Sequence, residues 1–467
     1  MEKKLIKFIN LEKSKFDEFV QSGELQLREA HLIPNFKPGD EVALASVLLS
    51  SVRLIKEFKK MILSDIKMMK KGHIYAYNEI VFSKFPKSRI DGLLLAVQGG
   101  VIKDAALFEM KNGSNDLDKD QVERYLNIAQ SYSIPKLVTV SNQFVSEPTQ
   151  SPVDTKTIKN VELFHFSWSY LLTLAQILLF DNEINIKDKD QIELMKEVVS
   201  YFEFDKSGVC GFNQMKSGWK EVVEKINSGT RIKNDEPNLN DTIVSWQQEE
   251  QDLALILSRK LGVLVNSGES KYRGNLKARV DNDKKVLIGE KSLSSNLKVS
   301  GAVSDIKIKA LFEKRIVEMS VTLKVPQDKK LRGQLNWVKR QIETCKKKNE
   351  QTFRKLQNEV LVEIILKNTN KTERVNIDNI DNIYEEIKDR EIKEFKILYI
   401  KDFGKSFANC RKFVETLENM LLDYYSCVIQ YLSNWTQPAP KIVEEKKEKK
   451  IETSEERNII NNKQEKE

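Results

Sequence analysis

Cysteine is scarce in this chain of 467 residues: Cys210, Cys345, Cys410 and Cys427 are scattered, with no paired spacing for a zinc knuckle or a redox motif. Such a spread suits small buried thiols in a reducing compartment, not a disulfide framework. Histidine is scarcer still, and His31, His73 and His165 stand too far apart in sequence to suggest a local metal cluster. His165 lies inside an apolar, strand-like run and reads as a core histidine. No apolar run approaches the ~20 residues of a membrane-spanning helix, and the longest, near Leu171–Phe180, reaches about half of that. The first residues, Met-Glu-Lys-Lys-Leu-Ile-Lys, lack the apolar core and small-residue cleavage site of a signal peptide. There is no phosphate-cradling glycine loop followed by Lys-Ser or Lys-Thr, which speaks against an NTPase, and no internal repeat. These absences predict a cytoplasmic protein with no membrane partner.

What is present is charge. Charged residues make up 31% of the chain and hydrophobic ones 40%, a balance suited to a globular protein with a highly charged surface. The length exceeds what one hydrophobic core supports, so two or three domains are expected. Net charge is +8. Between Val321 and Asn358 there are eleven Lys or Arg against three Asp or Glu, an excess as large as that of the whole chain.

Periodicity supplies the organisation. Residues 1–40 read as an irregular or strand-rich lead-in containing Pro34, Pro38 and Gly39. Helical spacing of Val42, Leu44, Val47, Leu48, Val52, Leu54, Ile55 and Phe58 predicts one long helix over Asp40–Met69. Strands are predicted at His73–Phe82, Asp91–Val97 and Asp104–Lys111, the last two joined through Gln98-Gly99-Gly100, whose glycines supply the positive φ of a hairpin turn. A helix over Asp118–Tyr132, strands at Lys136–Ser141 and Val161–Phe166, and an apolar helix over Ser167–Leu179 complete a mixed α/β unit spanning 41–185. Residues 186–240 read as a helical bridge, and 241–436 as a C-terminal α+β domain. That domain holds a helix at Leu253–Leu261, a run of strand candidates from Gly262–Val265 through Leu287, then strands at Ile306–Leu311 and Ile316–Val325. A basic helix at Leu335–Thr352, strands at Glu359–Leu366 and Glu394–Ile400 and an amphipathic helix at Asn409–Leu432 follow. The segment 437–467 is too polar to bury a core and is expected to be a disordered charged tail.

One constellation carries chemistry. On the strand Leu107-Phe108-Glu109-Met110-Lys111, alternation puts Glu109 and Lys111 on one face and Phe108 and Met110 on the other. Asp91 opens the neighbouring strand, and the hairpin brings it beside Glu109. Two carboxylates and an ammonium at one sheet end suit Mg²⁺, a hard cation that needs few protein oxygens and keeps water and phosphate as further ligands. Lys111 would position or deprotonate a nucleophile, or stabilise transition-state charge. Gln121 and Tyr125, four apart, share a face of the following helix. A bare Asp followed by Glu-x-Lys is common by chance, and Glu109 with Lys111 also reads as a solvated edge pair; placement on hairpin-linked strands before a Gln-bearing helix favours the catalytic reading.

Asp91, Glu109-Met110-Lys111 and Gln121-Val122-Glu123-Arg124-Tyr125 together resemble the PD-(D/E)XK nuclease superfamily over roughly residues 40–180. The resemblance implies a restriction-endonuclease-like core, metal ligands at Asp91 and Glu109, a catalytic lysine at Lys111, an auxiliary glutamine at Gln121, and Mg²⁺ with Mn²⁺ able to substitute. Glu79 matches an extra acidic residue of some members, and Ile90 stands where the name-giving proline would be. The implied activity is a DNA endonuclease, by association one of bacterial phage defence or restriction. A catalytically inactive nucleic-acid-binding or scaffold protein on a nuclease fold and an RNA-directed nuclease are the alternatives; a homo-oligomer or a partner protein is left open. Lys329, Lys330, Arg332, Lys339, Arg340, Lys346, Lys347, Lys348, Arg354 and Lys355, with Trp337 near them, would follow a phosphate backbone or form an ordinary charged helix face over a core tryptophan.

Overall fold

A computed structural model describes residues 7–29, 39–113, 115–145, 147–180, 185–268, 272, 276–356, 358–369 and 371–436. The charged segment 437–467, with Pro34 and Pro38 of the lead-in, lies outside the described residues. The chain builds a mixed sheet and then an antiparallel sheet, each flanked by helices.

The first unit runs α1 (Lys13–Gln21), β1 (Leu25–Glu29), α2 (Glu41–Leu54), α3 (Lys56–Asp65), β2 (His73–Phe82), β3 (Arg89–Gln98) and β4 (Val101–Met110). It continues through α4 (Lys119–Ser131), β5 (Lys136–Ser141), β6 (Glu162–Ser167), α5 (Trp168–Ile177) and α6 (Lys189–Glu203). Its sheet has the order β1-β2-β3-β4-β5-β6; the first four strands pair antiparallel, and β4, β5 and β6 run parallel. Gly99 and Gly100 connect β3 to β4 with φ of +58° and +73°, the positive pair that a tight hairpin of native twist requires.

Both faces of the central strands are covered, which explains their near-continuous apolar sequence. Leu94, Ala96, Phe108 and Met110 pack against α2, α3, α5 and α6, while Leu93, Leu95, Ala105 and Leu107 pack against α1 and α4. Phe8, Phe16 and Leu25, from the lead-in, belong to that second face. At Gly92 a Cβ would stand 2.5 Å from Leu49 Cδ1, so the missing side chain lets α2 settle on the sheet beside Asp91.

The single helix expected over Asp40–Met69 is two. Ile55 leaves helical geometry at φ −99°, ψ 111°, an extended conformation that a β-branched residue adopts readily, and its side chain is fully buried with Phe58.

The second unit comprises α7 (Ser217–Asn227), α8 (Pro237–Leu261), β7 (Asn266–Ser267), α9 (Leu276–Glu290), β8 (Ser292–Lys298), β9 (Ile306–Leu311) and β10 (Ile316–Lys324). After these come α10 (Leu331–Lys348), α11 (Glu350–Leu356), β11 (Val360–Leu366), β12 (Thr372–Asn376), α12 (Tyr384–Ile387), β13 (Ile392–Asp402) and α13 (Cys410–Cys427). Its seven strands are antiparallel in the order β12-β11-β13-β10-β9-β8-β7. Period-two burial of Val317, Met319, Val321 and Leu323 faces a core shared with Trp219, Trp246, Val338 and Phe413.

Two further expectations change here. The stretch through Leu287 is the helix α9, not strand: Arg279 reaches from it into α8 to pair with buried Glu250, and Asp283 lies one turn on. The basic helix over Leu335–Thr352 is broken at Asn349, which takes φ −145°, ψ 64°. Of the bridge, α6 buries Met195, Val198 and Phe202 in the first core, and α7 buries Trp219, Val222 and Val223 in the second. A polar seam joins the units: Arg259 Nη1 donates to Ser169 Oγ (3.2 Å) and Thr173 Oγ1 (3.0 Å), and Ser169 Oγ donates to Asp252 Oδ1 (3.1 Å). Among the described residues no helix is long and apolar enough to cross a membrane.

Candidate active site

Asp91, Glu109 and Lys111 come together at the carboxyl end of β4, on the sheet face covered by α4. The hairpin register pairs Gly92 with Phe108, which sets Asp91 beside Glu109. Asp91 Oδ2 accepts the Met110 backbone N–H at 2.7 Å. Lys111 lies one residue past β4; its N–H donates to Val140 O (2.8 Å) and its carbonyl accepts the Trp168 indole N–H (2.8 Å). Its ammonium donates to Glu109 Oε1 at 2.7 Å.

The carboxyl pair is under electrostatic tension. Glu109 is 1% exposed, and its Oε2 is buried without a hydrogen-bond donor. Burial, and then the charge of Asp91, push the Glu109 carboxyl far above its ordinary range. Asp91 is raised as well, again by burial, against the pull of the Met110 N–H and of Lys111. Repulsion between the two charged forms favours one proton on the pair. Burial alone would lower Lys111, but Glu109 and Glu41 outweigh it and hold the amine charged.

Glu41 is the participant that sequence reading missed. It stands in the first turn of α2 and its Oε2 accepts from Lys111 Nζ at 3.2 Å, while Asn115 Nδ2 lies 3.5 Å from its other oxygen. Seventy positions separate it from Lys111, and no local spacing signals such a contact.

Gln121 joins through Tyr125. Asp118 caps α4 by accepting the Gln121 backbone N–H (2.6 Å), Gln121 Nε2 donates to Tyr125 Oη (3.1 Å), and Tyr125 donates to Arg89 O (2.9 Å). Burial and the neighbouring Glu109 charge raise the Tyr125 phenol. Glu79 has a different neighbourhood: at φ +50° in a bulge of β2, it pairs with Arg28 (2.9 Å) and Arg89 (3.1 Å).

Among the described residues no group of three or more His, Cys, Asp or Glu is gathered as a metal cluster. Asp91 and Glu109 are hard oxygen donors of a kind that suits a divalent cation, and a cation beside Glu109 Oε2 would relieve the repulsion between the two carboxyls. His165 is fully buried, between Thr139 Oγ1 and Gln143 O at 2.9 Å each, with its pKa pushed down to about 4 by burial.

The ten basic residues of 329–355 all sit on or just before α10 and α11 of the second unit. Trp337 is a core residue, 7% exposed and packed near Phe395. Lys329 lies over the Trp435 ring (4.3 Å), Arg332 over Tyr384 (4.5 Å), Lys339 pairs with Asp381 and Arg354 with Glu350. Lys346, Lys347 and Lys348 form the last turn of α10, where cations suit the helix dipole. Lys330, Arg340 and Lys355 are exposed. No protein-family model, curated protein or solved structure matches the chain.

Proposed function

We propose that the chain is a Mg²⁺-dependent phosphodiesterase with a restriction-endonuclease-like core, acting on nucleic acid and first of all on DNA as an endonuclease. One observation carries this reading: a buried Glu109 with a donorless oxygen lies beside a second buried carboxyl, Asp91, with the Lys111 ammonium on its other oxygen. For a structural ion pair of Lys111 and Glu109 a second buried carboxyl is costly, because the Asp91 charge repels that of Glu109. Strain of that kind collects where ionisable groups serve chemistry.

Asp91 and Glu109 would hold the metal, with Mn²⁺ able to replace Mg²⁺. When bound, the ion lowers the pKa of a coordinated water and offsets charge on the scissile phosphate. The remaining work belongs to the chain. Lys111, held charged by Glu109 and Glu41, is an electrostatic stabiliser of the phosphorane-like oxygens and a donor that orients the nucleophile; it is not a base, since it keeps its proton at neutral pH. Glu41 steadies that ammonium from α2. Gln121 and Tyr125 form the wall from α4, where an amide and a phenol can orient water or phosphate oxygen.

The test is cleavage of supercoiled plasmid, linear DNA and a structured RNA with Mg²⁺, with Mn²⁺ and with EDTA. Metal-dependent cutting of DNA that Asp91→Ala abolishes is the expected result. RNA cut in preference to DNA reassigns the substrate. No cutting of any of the three by folded protein rejects the enzymatic reading.

A further inference from the structure

The chain passes from α6 to α7 through residues 204–216, and the stretch 206–212 within them is tied at both ends. One end is clasped to the candidate active site. Asn142, just past β5, uses its whole amide there: Nδ2 donates to Gly113 O (3.0 Å) and Gly208 O (2.9 Å), and Oδ1 accepts the Cys210 N–H (3.1 Å). Gly208 O also accepts the Gly113 N–H (3.0 Å), so the loop after Lys111 is bonded to the stretch directly as well as through Asn142. Asn112 Nδ2 donates to Ser207 O (3.4 Å) and to the carbonyl of Gly39, two residues before Glu41. Lys206 O lies where a Cβ on Gly39 would collide with it, so the stretch rests directly on the entry to α2.

The other end is anchored in the second unit. The Phe212 N–H donates to Asp252 Oδ2 on α8 at 2.8 Å. Asp252 is 2% exposed, and its second oxygen accepts from Ser169, which Arg259 also reaches. Gly211 alone separates the clasped Cys210 from the anchored Phe212, and a Cβ there would stand 2.8 Å from Asp252 Oδ2. Two peptide links reach about 7 Å at full extension, which bounds the slack between clasp and anchor to a few ångströms. A larger displacement of α8 is therefore passed on to the clasp.

We propose that this strap lets the second unit set the approach of Glu41 to Lys111, with Asn142 as the positioning residue at its clasp. Lys111 is fixed at its root by β5 and α5, whereas Glu41 rides on the first turn of α2, whose entry at Gly39 leans on the strap. With α8 seated, Asn112 and Lys206 hold that entry, and Glu41 stays 3.2 Å from the ammonium. With α8 drawn away, the strap leaves Gly39, Glu41 withdraws, and the ammonium keeps Glu109. A ligand or partner that moves the second unit thereby regulates the site. That consequence for turnover rests on the nuclease reading; the seating of the strap does not, and it is tested without catalysis.

The experiment is hydrogen–deuterium exchange of the full chain in EDTA, read by mass spectrometry. Phe212 and Cys210 report on the strap, Gly113 on the loop after Lys111, and Ala43 and Leu44, whose N–H groups bond to Asp40 O, on the entry to α2. Asp252→Asn leaves one acceptor for two donors, and Gly211→Ala pushes the strap off Asp252. Residue 211 is exposed, so Gly211→Ala carries the test should Asp252→Asn fail to fold by circular dichroism. Each folded variant should exchange about tenfold faster or more at Phe212, at Gly113 and at Ala43, with β10 and β13 at wild-type rates. Asn142→Ala should free Gly113 and Cys210 while Phe212 stays protected. Faster exchange at Phe212 alone, with Gly113 and Ala43 unchanged, overturns the proposal, and so does an equal rise over the whole chain. Gly113 at its wild-type rate in Asn142→Ala overturns the clasp.

Discussion

Trp168, the first residue of α5, donates its indole N–H to the Lys111 carbonyl across 2.8 Å. The Lys111 N–H is held in turn by Val140 O on β5. The peptide of the proposed catalytic lysine is therefore tied on both sides just where β4 has ended, by a strand through one group and by a helix through the other. That double tie fixes the root of the side chain while its tip remains between Glu109 and Glu41.

Trp168→Phe removes the tie from α5 and leaves a small void in a fully buried position. Stability should fall by about 1–3 kcal/mol in denaturant melts, the sum of a lost hydrogen bond and a modest cavity. Cleavage should fall by about tenfold through looser placement of the ammonium, while Mn²⁺ affinity holds. A variant as fast as wild type would detach Trp168 from the site.

Metal uptake should release a proton. Burial and mutual repulsion leave the Asp91–Glu109 pair with one proton at neutral pH, Glu109 being pushed up to about 9 and Asp91 to about 6. A cation competes with that proton, so affinity should rise as pH rises across this window. Calorimetry at pH 7 in buffers of different ionisation heat should show about one proton released per Mn²⁺ bound. Zero release contradicts the shared proton.

His165 predicts a separate acid sensitivity. Burial holds its folded-state pKa at about 4, against 6.5 ordinarily, although the Gln143 carbonyl pulls the other way. The unfolded chain then takes up a proton that the folded chain refuses, so stability is lost as pH falls from 6.5 toward 4. Over that window wild type should lose about 3 kcal/mol more than His165→Gln. Parallel stability curves would show that the ring takes up its proton inside the fold.

The last turn of α10 offers the plainest test of the basic stretch. Lys346→Glu, Lys347→Glu and Lys348→Glu together should weaken binding to DNA and flatten its dependence on salt. Unchanged affinity and slope assign these lysines to the helix dipole alone.

Local pattern made the first unit's strands and its hairpin legible, because Gly99-Gly100 is a two-residue demand for positive φ and the flanking strands are apolar on both faces. The Asp91–Glu109–Lys111 grouping was readable for the same reason: a hairpin converts short sequence separation into contact. Glu41 was not, since its approach to Lys111 depends on how α2 lies on the sheet, which Gly92 and Leu49 decide in three dimensions. The break at Ile55 hid inside an unbroken apolar periodicity, with no Gly or Pro to mark it. Helix α9 is hard to read in sequence because its apolar residues form no clear stripe; in the fold Leu287 packs in the second core and Arg279 pairs with the buried Glu250, 29 residues away. The strap between the units had no sequence signature, its ties being drawn from both of them.

The central claim rests on Lys111. Because an ammonium stabilises charge but does not ligate metal, Lys111→Ala should slow cleavage by on the order of a hundredfold or more. Mn²⁺ affinity should stay equal or rise slightly once the neighbouring positive charge is gone. Asp91→Ala should lose metal and activity together, and circular dichroism should show both variants folded. The deciding measurement is the single-turnover rate of DNA cleavage by Lys111→Ala at saturating Mn²⁺. A rate reduced by about a hundredfold with metal still bound is the predicted result, and a wild-type rate would contradict the assignment of this cluster as a nuclease site.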